Sequence, residues 1–282
     1  MDFFKTGWVY HWDAGAIEIG QADNIGSIRS GEIVPSNPES SAVITPATNH
    51  HYPVLMDNGC CKKLLQILYL IATRAASKDE KVFKWLDYIP GETAKYNNLH
   101  GGDWVLSGPM SGCQIVRFKA AGYDNWSCAH IGTAATNPID NRMVKDKFCA
   151  FLTSGEVASQ EVQGFNPGVA VDPSDLIQFS TKWGLSGSSK PDIYLCMSKE
   201  KCYAVSLFRL PLQGATSLFW LCGPIYECAA LSRGELIQAL RKPKEDEKVY
   251  ERRHGAGSLE QEIRRRMRER EREAMMLSAG AA

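Results

Sequence analysis

The sequence has no excess of charge of either sign, with 32 Lys and Arg against 32 Asp and Glu. No global field draws it to nucleic acid or to acidic lipid, which argues against a nucleic-acid-binding protein. It has no C-x-x-C pair, so zinc-ribbon and thioredoxin-like readings fail. The nine cysteines are odd in number and include the adjacent Cys60 and Cys61, which does not suit a disulfide framework. Most sit in apolar runs such as DIYLCMS and FWLCGP, where Cys packs as a small hydrophobe. A reducing compartment is expected. No basic segment followed by an apolar stretch opens the chain, so no Sec signal peptide is expected. The best apolar stretch, LLQILYLIATRAA, is too short to span a bilayer and follows Lys62-Lys63, so no membrane span is expected either. Secretion would use a route that needs no cleaved signal. No internal repeat is visible.

What is present is a composition of 44% hydrophobic and 23% charged residues over 282 positions, enough for one large or two modest domains with a sizeable core. Residues 1–60 read as short strands, turns and loops. Leu64, Leu65, Leu68 and Ile71 mark a helix over 61–77, and a second short helix is expected over 78–88, before Pro90-Gly91. From 103 to 132 the pattern becomes strand-like. CQIVRFKA and WSCAHIGT flank a turn at Gly122–Asn125 and predict a β-hairpin. Asn137-Pro138 starts a helix through 154. Residues 154–191 read as a long loop region. DIYLCMS and CYAVSLFRL predict a second hairpin, TSLFWLCGPIYEC a further strand and ELIQALRK a short helix. After Pro243 the composition turns highly charged. Ser258 and Gln261 resemble a capping box, and the rest is a helix laced with Glu–Arg pairs. The expected organisation is a catalytic α/β domain over 1–242, with strands in a sandwich or mixed sheet flanked by helices, and a charged C-terminal helical extension over 243–282 outside the core.

The segment that invites chemistry is LSGPMSGCQIVRF…NWSCAHIGT. Cys113 follows Ser111-Gly112, and a glycine there lets backbone N–H groups approach a reacting carbonyl as an oxyanion hole. A free thiol is mostly protonated at neutral pH and needs a base beside it to act as a nucleophile. His130 lies on the other strand of the expected hairpin, and neighbouring strands are about 5 Å apart, so opposed side chains on one face meet. Cys128 is nearer His130 in sequence, but it lacks the glycine approach. On these residues alone a plainer reading stays open: Cys113 a buried strand residue and His130 a satisfied core histidine.

The block Met110-Ser111-Gly112-Cys113, with His130 seventeen positions on and the hydroxyl of Ser107 six positions before the Cys, resembles the glutamine deamidases typified by cytotoxic necrotizing factor, Burkholderia lethal factor and the chemoreceptor deamidases. The likeness covers roughly residues 103–133. Met110 stands where the family has Leu, and Ser107 where some members have Thr. The resemblance implies a β-sandwich flanked by helices and a secreted bacterial effector or toxin acting in a target-cell cytosol. It implies attack of the Cys113 thiolate on a glutamine carboxamide of a host or target protein, with His130 as acid and base and no metal or cofactor. Ser107 would accept a hydrogen bond from His130 and fix its tautomer. Transglutamination differs only in the acceptor.

Two rivals stand beside this hydrolase. A papain-like cysteine protease or amidase would place Cys113 at a helix start. A non-enzymatic interaction protein would use the C-terminal helix to bind a partner or chaperone. Other clusters carry less. His50-His51 with Asp57 and Cys60-Cys61 match no zinc spacing. His100-Gly101-Gly102-Asp103 reads as a turn, as do Asp124 and Asn125. Trp104, Trp126 and Trp183 read as core. The Arg-rich stretch 263–272 is offset by interleaved Glu and reads as a solvated or partner helix.

Overall fold

The computed structural model describes residues 3–7, 9–12, 33–35, 41–46, 81–110, 112–133, 137–158, 161–183, 185, 190–210 and 218–279. The helix expected over 61–77, the His50-His51 and Cys60-Cys61 cluster, and Ser111 lie outside the described residues. The chain is a mixed α/β structure with two sheets and several helices.

The first sheet contains β1 (Val9–Trp12), β3 (Ser41–Pro46), β4 (Lys81–Trp85), β6 (Val105–Ser107), β10 (Asp192–Met197), β11 (Cys202–Leu210) and β12 (Leu218–Glu227). β1 pairs antiparallel with both β12 and β3, so the order β1-β12-β11-β10-β6-β4-β3 returns to its start. The second sheet runs β13 (Leu231–Ser232), β9 (Gln163–Phe165), β7 (Gln114–Phe118), β8 (Trp126–Ile131), β5 (Thr93–Leu99), β2 (Ile33–Pro35). Both expected hairpins are present: β7–β8 with Ile115 opposite His130, and β10–β11 with Leu195 opposite Ala204.

Side chains alternate across a strand, and that alternation sorts the core into layers. On β10, Tyr194 and Cys196 enter one buried cluster with Phe4, Tyr10, Phe83 and Trp220. Leu195 and Met197 point the other way, to meet Ile115, Trp126, Cys128 and Phe165 of the second sheet. The two sheets thus pack through one apolar layer. On β8 the alternate residues Ala129 and Ile131 turn to a third cluster with Val116, Phe118, Val144 and Phe148. Val144 and Phe148 belong to α1 (Pro138–Thr153), which covers the outer face of the second sheet. Arg117 is a polar residue on the inter-sheet face. It is buried, and its guanidinium donates to Gln163 Oε1 at 3.0 Å and to the Ser198 carbonyl at 2.7 Å.

Two expectations are corrected. Within the range 78–88 where a helix is expected, the described residues Lys81–Trp85 form strand β4, because Phe83 and Trp85 are buried on one side with Lys84 between them, a period of two rather than 3.6. The loop over 154–191 contains β9, α2 (Pro167–Ala170) and α3 (Pro173–Lys182). Asn166 and Asp172 cap these helices, each followed by Pro at the first helical position, as Asn137 and Pro138 do for α1.

α4 (Arg233–Arg241), α5 (Glu245–His254) and α6 (Ser258–Ala279) complete the chain. The expected cap at Ser258 is not formed: Ser258 Oγ has no hydrogen-bond partner. Glu251 of α5 serves instead, accepting from the Gly257 and Leu259 amides at 2.6 and 3.0 Å. Leu259 and Ile263 are buried against Ile139 and Met143 of α1. Lys145 of α1 and Glu247 of α5 form an ion pair, each 2% exposed. No described helix is long and apolar enough to cross a membrane.

Two stability measurements follow from this packing. Gly132 bridges the β5 turn, its carbonyl accepting from Gly91 at 2.7 Å and its amide donating to Glu92 at 2.8 Å. A Cβ there would stand 2.0 Å from the Ile89 carbonyl oxygen. Gly132→Ala is expected to destabilise by about 3 kcal/mol or more in urea unfolding, since backbone cannot yield as a side chain does. Lys145→Met alone leaves the buried Glu247 with only the more distant Arg142 at 3.8 Å, and is expected to lose up to about 3 kcal/mol. The double variant Lys145→Met, Glu247→Leu should recover most of it.

Candidate active site

The first component comes from the end of β6. Leu86 donates its amide to the Leu106 carbonyl at 3.0 Å, which brings the Leu86 carbonyl alongside Ser107. Ser107 is fully buried and donates its single proton to that carbonyl at 2.7 Å. Its oxygen also lies 2.8 Å from His130 Nδ1. A carbonyl only accepts, so the hydroxyl proton goes to Leu86, and Ser107 accepts from Nδ1–H. The imidazole therefore carries its proton on Nδ1 and an open lone pair on Nε2. Nε2 makes no hydrogen bond, although it is buried. The bond crosses between sheets, from β6 of the first to β8 of the second.

Cys113 immediately precedes β7. The pairing of Ile115 with His130 puts Cys113, two residues earlier, on the same face of the hairpin as the imidazole. The thiol is 3% exposed. Its sulfur lies 3.8 Å from Thr133 Oγ1 and 4.0 Å from the Thr133 carbonyl. Tyr88 closes the group: its hydroxyl donates to the same Thr133 carbonyl at 3.0 Å, and its ring centroid lies 5.2 Å from that of His130. On the other side Lys244 donates from Nζ to the Gly112 carbonyl at 3.0 Å.

Burial dominates the electrostatics. It pushes the His130 pKa down to about 3 and raises that of the Cys113 thiol, against which its hydrogen bonds with Thr133 and the nearby Lys244 charge act in the lowering direction. Tyr88 is pushed up to about 12 by burial first and by Cys113 second. Burial thus favours the neutral form of both thiol and imidazole, and the Cys113 sulfur bonds to Thr133 while His130 Nε2 has no hydrogen-bond partner.

Comparison with family models, curated proteins and solved structures finds no match for this chain.

Among the residues singled out in the sequence, Ser107 and His130 are joined by a hydrogen bond, Cys113 lies on the hairpin face that carries His130, and Gly112 is held by Lys244. Cys128 is fully buried in the inter-sheet cluster, and its thiol pKa is strongly raised by burial; it is a packing residue. Asn125 bonds to Asn98 and His100, not to His130, and Asp103 N donates to the His100 carbonyl as a turn requires. Trp126 is core, with its indole N–H on the His100 carbonyl at 2.8 Å. Trp104 packs against the first cluster, and Trp183 stacks on Phe179. In α6, Arg264 and Arg265 pair with Glu260, Glu262 and Glu269, and Arg266 pairs with Glu262 and with Asp140 of α1. Sequence reasoning missed three members. Thr133 ends the HIGT segment and had a signal in its hydroxyl. Tyr88 fell in the supposed helix, and Lys244 in the supposed extension.

The buried imidazole makes stability depend on pH. Unfolded, His130 takes up a proton near 6.5, whereas in the folded protein it does so only near 3. Between those values the unfolded chain binds more protons, so stability falls as the pH is lowered through that window. The urea midpoint is expected to drop between pH 6.5 and 4, and to drop less in His130→Gln. Parallel pH dependences in the two proteins would mean that the histidine is not held neutral.

Proposed function

We propose that the chain is a cysteine hydrolase that deamidates a glutamine side chain of a host or target protein. The observation that carries this reading is the hydrogen bond from His130 Nδ1–H to Ser107 Oγ, which leaves Nε2 as the free base on the hairpin that Cys113 leads into. A histidine oriented by a third group through one nitrogen, with the other available to a nucleophile, is the arrangement that activated nucleophiles share. The deamidase resemblance of Met110–Cys113, Ser107 and His130 points the same way and suggests a secreted effector. That Cys113 leads into a strand, not a helix, weighs against the papain-like alternative.

In the proposed reaction the Cys113 thiol gives its proton to His130 Nε2 and its sulfur bonds to the carboxamide carbon. The amide C–N bond then breaks as ammonia leaves with the proton from His130. Water replaces it: His130 takes a proton, the hydroxide oxygen bonds to the acyl carbon, and the C–S bond breaks to give glutamate and the free thiol. With an amine in place of water the same thioester yields a transglutamination product. In this reading the Gly112 turn supplies the oxyanion-hole amide.

One observation favours a second, non-enzymatic reading: the sulfur is 3% exposed and the imidazole is buried. A sealed thiol does not meet a protein glutamine, so turnover requires the cover over the Gly112–Cys113 turn to open. Incubation with candidate target proteins is expected to give a mass gain of about one dalton at a glutamine, as amide becomes acid. Cys113→Ala should abolish it and Ser107→Ala reduce it about 10- to 100-fold by releasing the imidazole. Activity that survives in Cys113→Ala rejects the reading. A folded protein in which iodoacetamide never modifies Cys113 supports the non-enzymatic one.

A further inference from the structure

We propose that Lys244, from the charged C-terminal segment, is a positioning residue of the Cys113 site, holding the Gly112 carbonyl and supplying the positive charge that a thiolate beside it requires. The inference rests on the cysteine-hydrolase reading and adds a member that the reading does not contain.

The geometry is unusual for a lysine in such a segment. Lys244 Nζ reaches 132 residues back along the chain to donate to the Gly112 carbonyl at 3.0 Å. A Cβ on Gly112 would lie 3.6 Å from that Nζ, so the turn passes directly beneath the ammonium. Lys244 is not placed by its own flexible stem alone. On one side of it, the Arg241 carbonyl accepts from Arg142 Nη1 at 3.1 Å. On the other, Asp246 accepts from Asn141 Nδ2 at 3.0 Å, and Glu247 is locked to Lys145 inside the protein. Both anchors are on α1, so the stretch from α4 to α5 is strapped across the nucleophile turn with Lys244 at its middle.

The charges around the pair are few. Cys113 faces Lys244 and the neutral hydroxyl of Tyr88. Burial first and Lys145 second lower the Lys244 pKa, and Cys113, Asp246 and Glu247 act the other way, in favour of its charge. Glu247 is already paired with Lys145. A positive charge close to a buried thiol acts through a low effective dielectric and favours the thiolate. Lysine in this role is a compact point charge, and arginine keeps the charge with different geometry.

The alternative role for such a strap is a mere cover, and the two roles move the same measurement in opposite directions. The full chain is treated with iodoacetamide from pH 6 to 10, and modification of the Cys113 peptide is followed by mass spectrometry in wild type, Lys244→Met and Lys244→Arg. A positioning role predicts that Lys244→Met shifts the pH midpoint of labelling upward by about one unit and slows labelling at pH 7 about tenfold. Lys244→Arg should restore most of the rate. Faster labelling in Lys244→Met, or an unchanged midpoint while Cys113→Ala still abolishes deamidation, overturns the assignment and leaves the hydrolase reading standing. Failure of wild-type Cys113 to react at any pH removes the hydrolase reading and this assignment together. A loss of labelling that Lys244→Arg does not recover marks collapse of the turn and overturns it too.

Discussion

The contact on which the site depends is a single hydrogen bond between two sheets. Ser107 and His130 belong to different sheets, and the layer between those sheets is otherwise Leu86, Val105, Ile115, Trp126, Cys128 and their neighbours. In that surrounding an imidazole with no partner loses its hydration without return. Ser107 resolves this at one nitrogen, with its own proton discharged on the Leu86 carbonyl. The result is a chain of polar groups, Leu86 carbonyl to Ser107 to His130, in which every proton has one place to go. Such a network fixes ring orientation as well as tautomer, because turning the imidazole by half a revolution would lose the bond. The register of the β7–β8 hairpin then does the rest, by setting the residue before β7 on the face that the imidazole occupies.

Much of this was legible in the sequence because it is local. The hairpin, its turn at Gly122–Asn125 and the alternation of Ile115, Val116 and Phe118 are written in consecutive residues. The hydroxyl at Ser107 was found through a motif spacing, and its bond to His130 is present. What was illegible is long-range or concealed by composition. Over 78–88 the local pattern predicts a short helix, whereas Phe83 and Trp85 are gathered into a core with Phe4 and Tyr10 from the far end of the described chain. The Asn166-Pro167 and Asp172-Pro173 pairs carry the same start signal as Asn137-Pro138. They were passed over because the glycine and proline content around them suggested loop.

The segment after Pro243 shows the same limit in sharper form. Its charge pattern is that of a solvated helix, and for much of α6 that description holds. Yet Glu247 and Lys145 are buried together, Leu259 and Ile263 seal against α1, and Lys244 reaches Gly112. A buried ion pair is a weak source of stability but a strong one of registration, because any slip leaves an unpaired charge in the interior. The Lys145–Glu247 pair therefore acts as a locating pin for the stretch before it. Charged composition predicts exposure on average; it does not reveal the one lysine and one glutamate that find each other over a hundred positions apart.

Burial has one further consequence for the proposed chemistry. Desolvation acts on thiol and imidazole in opposite directions in pKa but toward the same end, the neutral form of each. The closed arrangement thus stores the dyad as an uncharged pair, which an apolar layer tolerates far better than a thiolate and an imidazolium. Admission of water or a substrate amide to the turn relieves both penalties at once, lowering the thiol's pKa and raising the imidazole's, so that proton transfer becomes easier as the site is uncovered. Reactivity and access are then one event, governed by whatever holds the Gly112–Cys113 turn shut. Of the contacts that do so, Thr133 and Tyr88 are carried by the same body of strands as the dyad. Lys244 comes from the strap between α4 and α5, so the charge it offers the sulfur is kept only while that strap stays on the turn, and opening that preserves reactivity has to proceed on the Thr133 and Tyr88 side.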